Sequence, residues 1–127
     1  MSCCEDKMEP VGTDSCCTPR ETSQDAARMM QKTGCGCAPV VEDKESRRLV
    51  GVVTERDLCH HVAAENRRPS EVPVEKIMRA ASACCGMSDS LEQARHTLDA
   101  HQATSLPVVD KEGCCHGTIS SHHLREM

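Results

Sequence analysis

In the stretch LVGVVTERDLCHH, residues 49–61, a hydroxyl and a carboxylate stand three positions apart at Thr54 and Asp57. Ahead of a helix, that spacing fits a capping box, in which each side chain satisfies a free backbone N–H of the first turn. It also fits a binding site. A helix N-terminus offers unpaired N–H groups and partial positive charge to a phosphate, and an Asp one turn in accepts hydrogen bonds from sugar hydroxyls. The residues alone leave both readings open. The 11 cysteines form the second chemical feature: Cys3-Cys4, Cys16-Cys17, Cys35-x-Cys37, Cys59, Cys84-Cys85 and Cys114-Cys115. None is a C-x-x-C pair, and neighbouring cysteines on a strand point to opposite faces, so a vicinal pair grips one ion poorly. Most therefore read as small hydrophobic core filler. Cys3 and Cys4 have no core role legible in the sequence. With Cys114, Cys115 and His116, or with the pairs His60-His61 and His122-His123, they are the candidates for a soft-metal or redox site. No Ser-nucleophile motif, Walker loop or G-x-G-x-x-G occurs, and an enzyme is not expected.

Composition narrows the classes further. The 127 residues suit one compact domain, and a net charge of −5 from 15 basic and 20 acidic residues gives no nucleic-acid footprint. No apolar run is long enough to span a bilayer, and MSCCEDKMEP lacks the apolar stretch of a signal peptide. The expectation is a cytoplasmic protein without a disulfide framework. There is no Phe, Tyr or Trp, so the core must be assembled from Val, Leu, Ile, Met, Ala and Cys.

The elements that position these residues come from a repeat. Residues 15–41 lie over residues 83–109 without a gap. Cys16 and Cys17 meet Cys84 and Cys85, Ala26 meets Ala94, and Pro39-Val40-Val41 meets Pro107-Val108-Val109. Further on, Gly51 matches Gly117, Thr54 matches Ser120, and Asp57 matches His123. Each copy reads as a short strand carrying the Cys pair, a helix begun at Thr22 or Ser90, two strands and a last helix. Ser90-x-x-Gln93 fits a capping box, and Gly34 is placed to end the first helix. APVV and LPVV are short buried strands with Pro at the start. The predicted organisation is a first unit over 1–65, with 1–7 outside the repeat, a linker at 66–73, and a second unit over 74–127.

PVV…LVGVVTERDL, with TS…AARMM upstream, resembles the CBS domain, the module of cystathionine beta-synthase, and two in tandem resemble a Bateman module. The resemblance covers roughly residues 8–126 and implies an α+β fold: two β-α-β-β-α units, related by pseudo-two-fold symmetry and packed through their sheets. It implies a regulatory, non-catalytic homodimer that binds an adenosine-type ligand (AMP, ADP, ATP, S-adenosylmethionine or NADH) between the copies and signals to a regulated partner protein. No other cofactor is implied. Gly51-Val52-Val53-Thr54-Glu55-Arg56-Asp57 matches the family's G-x-x-[ST]-x-x-D, in which the hydroxyl faces phosphate or ribose and the acid takes ribose hydroxyls. Val53, Thr54 and Asp57 are then ligand candidates. Cys37-Ala38-Pro39 and Ser105-Leu106-Pro107 occupy the positions that line the base, and Arg56 and Arg79 are candidate phosphate contacts that compete with a role as solvated charge. Copy two keeps Ser120 but has His123 in place of the acid, so one good pocket and one altered pocket are expected. The competing readings are a Cys/His metal or redox sensor and a dimerisation scaffold with vestigial pockets.

Overall fold

A computed structural model describes residues 3–4, 8–10 and 16–121. The strands are β1 (Glu9–Pro10), β2 (Cys37–Val41), β3 (Leu49–Thr54), β4 (Arg79–Ala80), β5 (Cys85–Gly86), β6 (Ser105–Val109) and β7 (Cys115–Ser120). The α-helices are α1 (Ser23–Thr33), α2 (Glu55–Leu58) and α3 (Leu91–Ala100), with 3-10 turns at Pro69–Glu71 and Val74–Lys76. The fold is α+β and repeats as the sequence does.

The repeat extends to small details. Thr22 and Ser90 cap α1 and α3, each in a full capping box, with Asp25 and Gln93 respectively. Gly34 closes α1 in the left-handed conformation. The β2–β3 hairpin shifts register between Val40 and Val41, and β6–β7 shifts at the equivalent Val108 and Val109. The expected Cys-pair strand is minimal: one parallel bridge from Cys17 to Val40 in copy one, and the two-residue β5 beside β6 in copy two. The helix expected after Asp57 is α-helical only to Leu58, then widens into a π-turn over Cys59–Ala63. The last helix of copy two, including His122 and His123, lies outside the described residues.

Sheet order ties the copies together. β4, which follows the linker, pairs antiparallel with β3 of copy one, giving the sheet β2-β3-β4. Reciprocally β1 pairs with β7, giving β1-β7-β6-β5.

β2 and β6 are buried on both faces, which explains why APVV and LPVV show no polar alternation. Ala38, Val40 and Val53 pack with Ala26 and Met30 of α1 and with Val62, Val74 and Ile77. The opposite face of the same sheet, carrying Cys37 and Val52, joins the core of copy two with Leu91, Ala94, Leu98, Leu106, Val108 and Ile119. A third cluster of Cys16, Val41, Leu49 and Cys115 closes the other end.

The cysteines take the place of the missing aromatics. Cys16, Cys17, Cys37, Cys85 and Cys115 are buried, and neighbours separate as expected: Cys16 and Cys17 enter different clusters. The reading of the N-terminal pair needs correction. Cys4 is fully buried in the copy-two core, its N–H donating to the Asp89 carbonyl. It is a core residue, drawn in from outside the repeat, and no periodicity could have placed it.

Candidate functional site

The first turn of α2 is where the two readings of Thr54 and Asp57 meet. Asp57 Oδ2 accepts from the Thr54 N–H at 2.9 Å, and Thr54 Oγ1 accepts from the Asp57 N–H at 3.2 Å. The capping box is therefore real, yet it leaves much of the carboxylate unused. Arg79, from β4, fills the remainder. Its Nε donates to Asp57 Oδ1 at 3.0 Å and Oδ2 at 3.1 Å, and its Nη2 to Thr54 Oγ1 at 3.3 Å. Its Nη1 donates to the His101 carbonyl at 2.6 Å, at the C-terminal end of α3. Asp57 is only 5% exposed. Such a charge is tolerable only when paired and hydrogen-bonded, as it is here.

Arg79 is thus no solvated charge. It straps the N-terminus of a copy-one helix to the C-terminus of a copy-two helix, where carbonyl oxygens carry partial negative charge. Sequence reasoning singled out Arg79 without this role and missed His101, whose contribution is a backbone oxygen that side-chain identity does not reveal. Arg56 is exposed and takes no part in the cluster.

Gly51 is needed for a reason other than ligand contact. A Cβ there would lie 2.6 Å from Met78 Sδ and 2.8 Å from the Arg79 carbonyl oxygen, so a bare Cα is what lets β4 pair with β3 and deliver Arg79. Gly51→Ala is expected to cost about 2 kcal/mol, the scale of overpacking against backbone that cannot yield. Urea denaturation checks this, and an unchanged midpoint would show that β4 adapts freely.

The other candidates are distributed as follows. Val53, Ala38, Pro39, Leu106 and Pro107 have buried side chains within the sheets, so they present backbone rather than side-chain groups to any ligand. Cys37 and Ser105 meet near the pseudo-two-fold axis, where Cys35 Sγ lies 3.9 Å from Cys37 Sγ, 3.4 Å from Ser105 Oγ and 3.5 Å from Thr118 Oγ1. Ser120 ends β7 opposite Ser105, as Thr54 ends β3 opposite Cys37.

The thiols differ in character. Burial pushes Cys17 and Cys115 up to about 12. Cys35 is drawn down to about 5, first by the Cys37 thiol and then by the Ser105 and Thr118 hydroxyls, while Cys37 is raised in return. The metal candidates do not converge: Cys4 is buried beside Asp89, Cys115 packs with Cys16, and His116 Nε2 bonds Asp110 Oδ2 at 2.7 Å. Among the described residues, no three His, Cys, Asp or Glu side chains form a metal-binding group.

The CBS domain family matches residues 9–64 and 74–127, one domain for each copy. The chain belongs to the CBS-domain family. It is 33% identical over 94 residues, 74% of its length, to the CBS domain-containing protein YhcV of Bacillus subtilis. It is 32% identical over 111 residues, 87% of its length, to inosine-5'-monophosphate dehydrogenase of Streptococcus pyogenes. The chain spans 64% of YhcV but only 21% of the dehydrogenase, so the latter likeness concerns the CBS pair alone. In fold it superposes on CBSX2, solved in complex with AMP, at a TM-score of 0.77 and 23% identity, covering 99% of this chain and 95% of that one. No helix among the described residues of this CBS pair is long and apolar enough to cross a membrane.

Proposed function

We propose that this CBS pair is a regulatory module that binds an adenosine-type nucleotide at the α2 N-terminus of copy one. The observation that carries the reading is the buried Asp57 carboxylate, held by its own cap and by an arginine from the opposite side of the repeat. A ribose bearing two hydroxyls would take the Asp57 oxygens that Arg79 Nε now occupies, and Arg79 would turn its guanidinium to the phosphate. Through that exchange Arg79 stays ion-paired, with phosphate, and the Asp57 carboxylate stays hydrogen-bonded by the hydroxyls and its cap, so no buried polar group is left without a partner. Backbone groups of residues 37–39 and 105–107 would receive the base. The complex of CBSX2 with AMP supports the choice of ligand class.

Regulation follows from the same contact. Arg79 also holds the His101 carbonyl, so drawing it toward a phosphate alters the tie between the copies, and a partner protein, or the second subunit of a homodimer, reads that change. The module itself catalyses nothing in this reading.

Thermal denaturation with AMP, ADP, ATP, S-adenosylmethionine and NADH tests the proposal. A ligand at ten times its Kd contributes about 1.4 kcal/mol to the folded state, or roughly 4–6 °C in a chain of this size. Asp57→Asn, which keeps the shape and removes the charge, is expected to weaken binding about tenfold or more. If none of the five raises Tm at about 1 mM, the nucleotide reading falls.

A further inference from the structure

Cys35-Gly36-Cys37 stands where the two copies meet, yet the repeat does not account for it. The equivalent residues in copy two are Ala103-Thr104-Ser105. Cys35 is half-buried and Cys37 buried. Their sulfurs lie 3.9 Å apart, unbonded, and the Ser105 and Thr118 hydroxyls lie within 3.5 Å of Cys35 Sγ. This arrangement is unlike that of the core cysteines. Cys35 is only half-buried, two hydroxyls lie within hydrogen-bond reach of its sulfur, and a second, buried thiol lies beside it. Reactive cysteines sit in partly exposed sites of this kind, whereas buried structural ones are inert.

We propose that Cys35 and Cys37 form a redox-active dithiol that is oxidised by hydroperoxides. The Cys35 thiolate attacks an oxygen of the peroxide ROOH. An S–O bond forms, the O–O bond breaks, and RO⁻ leaves with a proton as ROH. The product at Cys35 is a sulfenic acid. Cys37 then loses its proton and its sulfur attacks Cys35 Sγ, the S–O bond breaks, and hydroxide leaves with that proton as water. Two thiols and one peroxide thus become one disulfide, one alcohol (water, for hydrogen peroxide) and one water, a two-electron oxidation. A cellular dithiol reverses the reaction by exchange.

The fold gives the disulfide a consequence. Gly36 forms a bend between the two cysteines, and their sulfurs must close from 3.9 Å to the roughly 2.05 Å of a disulfide bond, so closure shifts the chain at Gly36. Gly36 has little room to give. A Cβ there would lie 2.6 Å from Thr104 Oγ1, and its carbonyl accepts from the Glu55 N–H at 3.1 Å, in the first turn of α2. Oxidation would therefore pull on the helix start that carries Thr54 and Asp57. The dithiol itself does not depend on the nucleotide reading.

The test is peptide mapping of the whole reduced protein after one equivalent of hydrogen peroxide. Cleavage after Lys32 and Lys44 releases residues 33–44, which contain Cys35 and Cys37 and no other cysteine. The expected result is that this peptide becomes lighter by two hydrogens and resists alkylation, while the other nine of the 11 thiols stay free. In Cys37→Ala, dimedone should capture a sulfenic acid at Cys35; in Cys35→Ser, the peptide should stay reduced. Limiting iodoacetamide at about pH 6 should label Cys35 of the wild type first, a readout that requires no variant. The proposal is overturned if peroxide or iodoacetamide reacts first elsewhere, at exposed Cys59 for example, or if residues 33–44 keep both thiols.

Discussion

Replacing Arg79 with methionine is expected to lower the free energy of unfolding by about 3 kcal/mol, the lower end of what breaking a buried ion pair costs. The lower end applies because the Arg79 side chain keeps 22% of its exposure while that of Asp57 keeps 6%. Methionine retains most of the apolar stem, so the loss reports on the guanidinium. It leaves the Asp57 carboxylate buried with only its cap, and the His101 carbonyl without its donor. Asp57→Asn in the same background removes the stranded charge and should recover 1–2 kcal/mol or so, giving a coupling energy that a double-mutant cycle reads directly. Denaturant midpoints of the four proteins are the measurement. A single-variant loss under about 0.5 kcal/mol with no coupling would mean that Arg79 contributes nothing as a strap.

Leu106→Ala is expected to cost more, about 3–4 kcal/mol. Leu106 is fully buried and, with Ile119, is among the largest of the fully buried side chains. Its neighbours are Leu91, Leu98, Val108 and Ile119, with Cys37 and Val52 from the other copy. A core without aromatics has no large flat side chain to slide into the vacancy, and β-branched Val and Ile are stiff. The void should therefore stay largely open. For a domain whose total stability is of order 5–15 kcal/mol, this is a large share. Leu106→Met, which conserves volume, should cost under about 1.5 kcal/mol. Equal losses in the two variants would show that shape rather than volume governs this position.

Most of the framework was legible because it is local and repeated. The helix-start hydroxyls Thr22 and Ser90 and the paired PVV strands are patterns of a few residues, and their recurrence 68 positions later turned weak signals into a firm reading; the glycine that ends α1 was legible on its own. What the sequence hid is non-local. The burial of Cys4 beside Asp89 has no spacing rule behind it. The hold of Arg79 on Asp57 and on the His101 carbonyl joins residues 22 apart in each direction. The Cys35–Cys37 pair was visible as two cysteines, but its hydroxyl partners at Ser105 and Thr118 come from the other copy. The motif also concealed why Gly51 is glycine: the close approach is made by β4, a strand beyond the linker.

The exchange of edge strands sets how this chain must fold. Among the described residues β1 pairs with β7, Glu9 standing against Thr118, and more than a hundred residues separate them. Closing so long a loop is entropically costly before any contact repays it, and contacts of this range slow folding. A ribosome releasing the first copy delivers a sheet without β4, its β3 edge open to pairing with another nascent chain. The two copies are therefore expected to fold as halves of one unit, and severing the linker should yield two sticky fragments in place of two smaller domains.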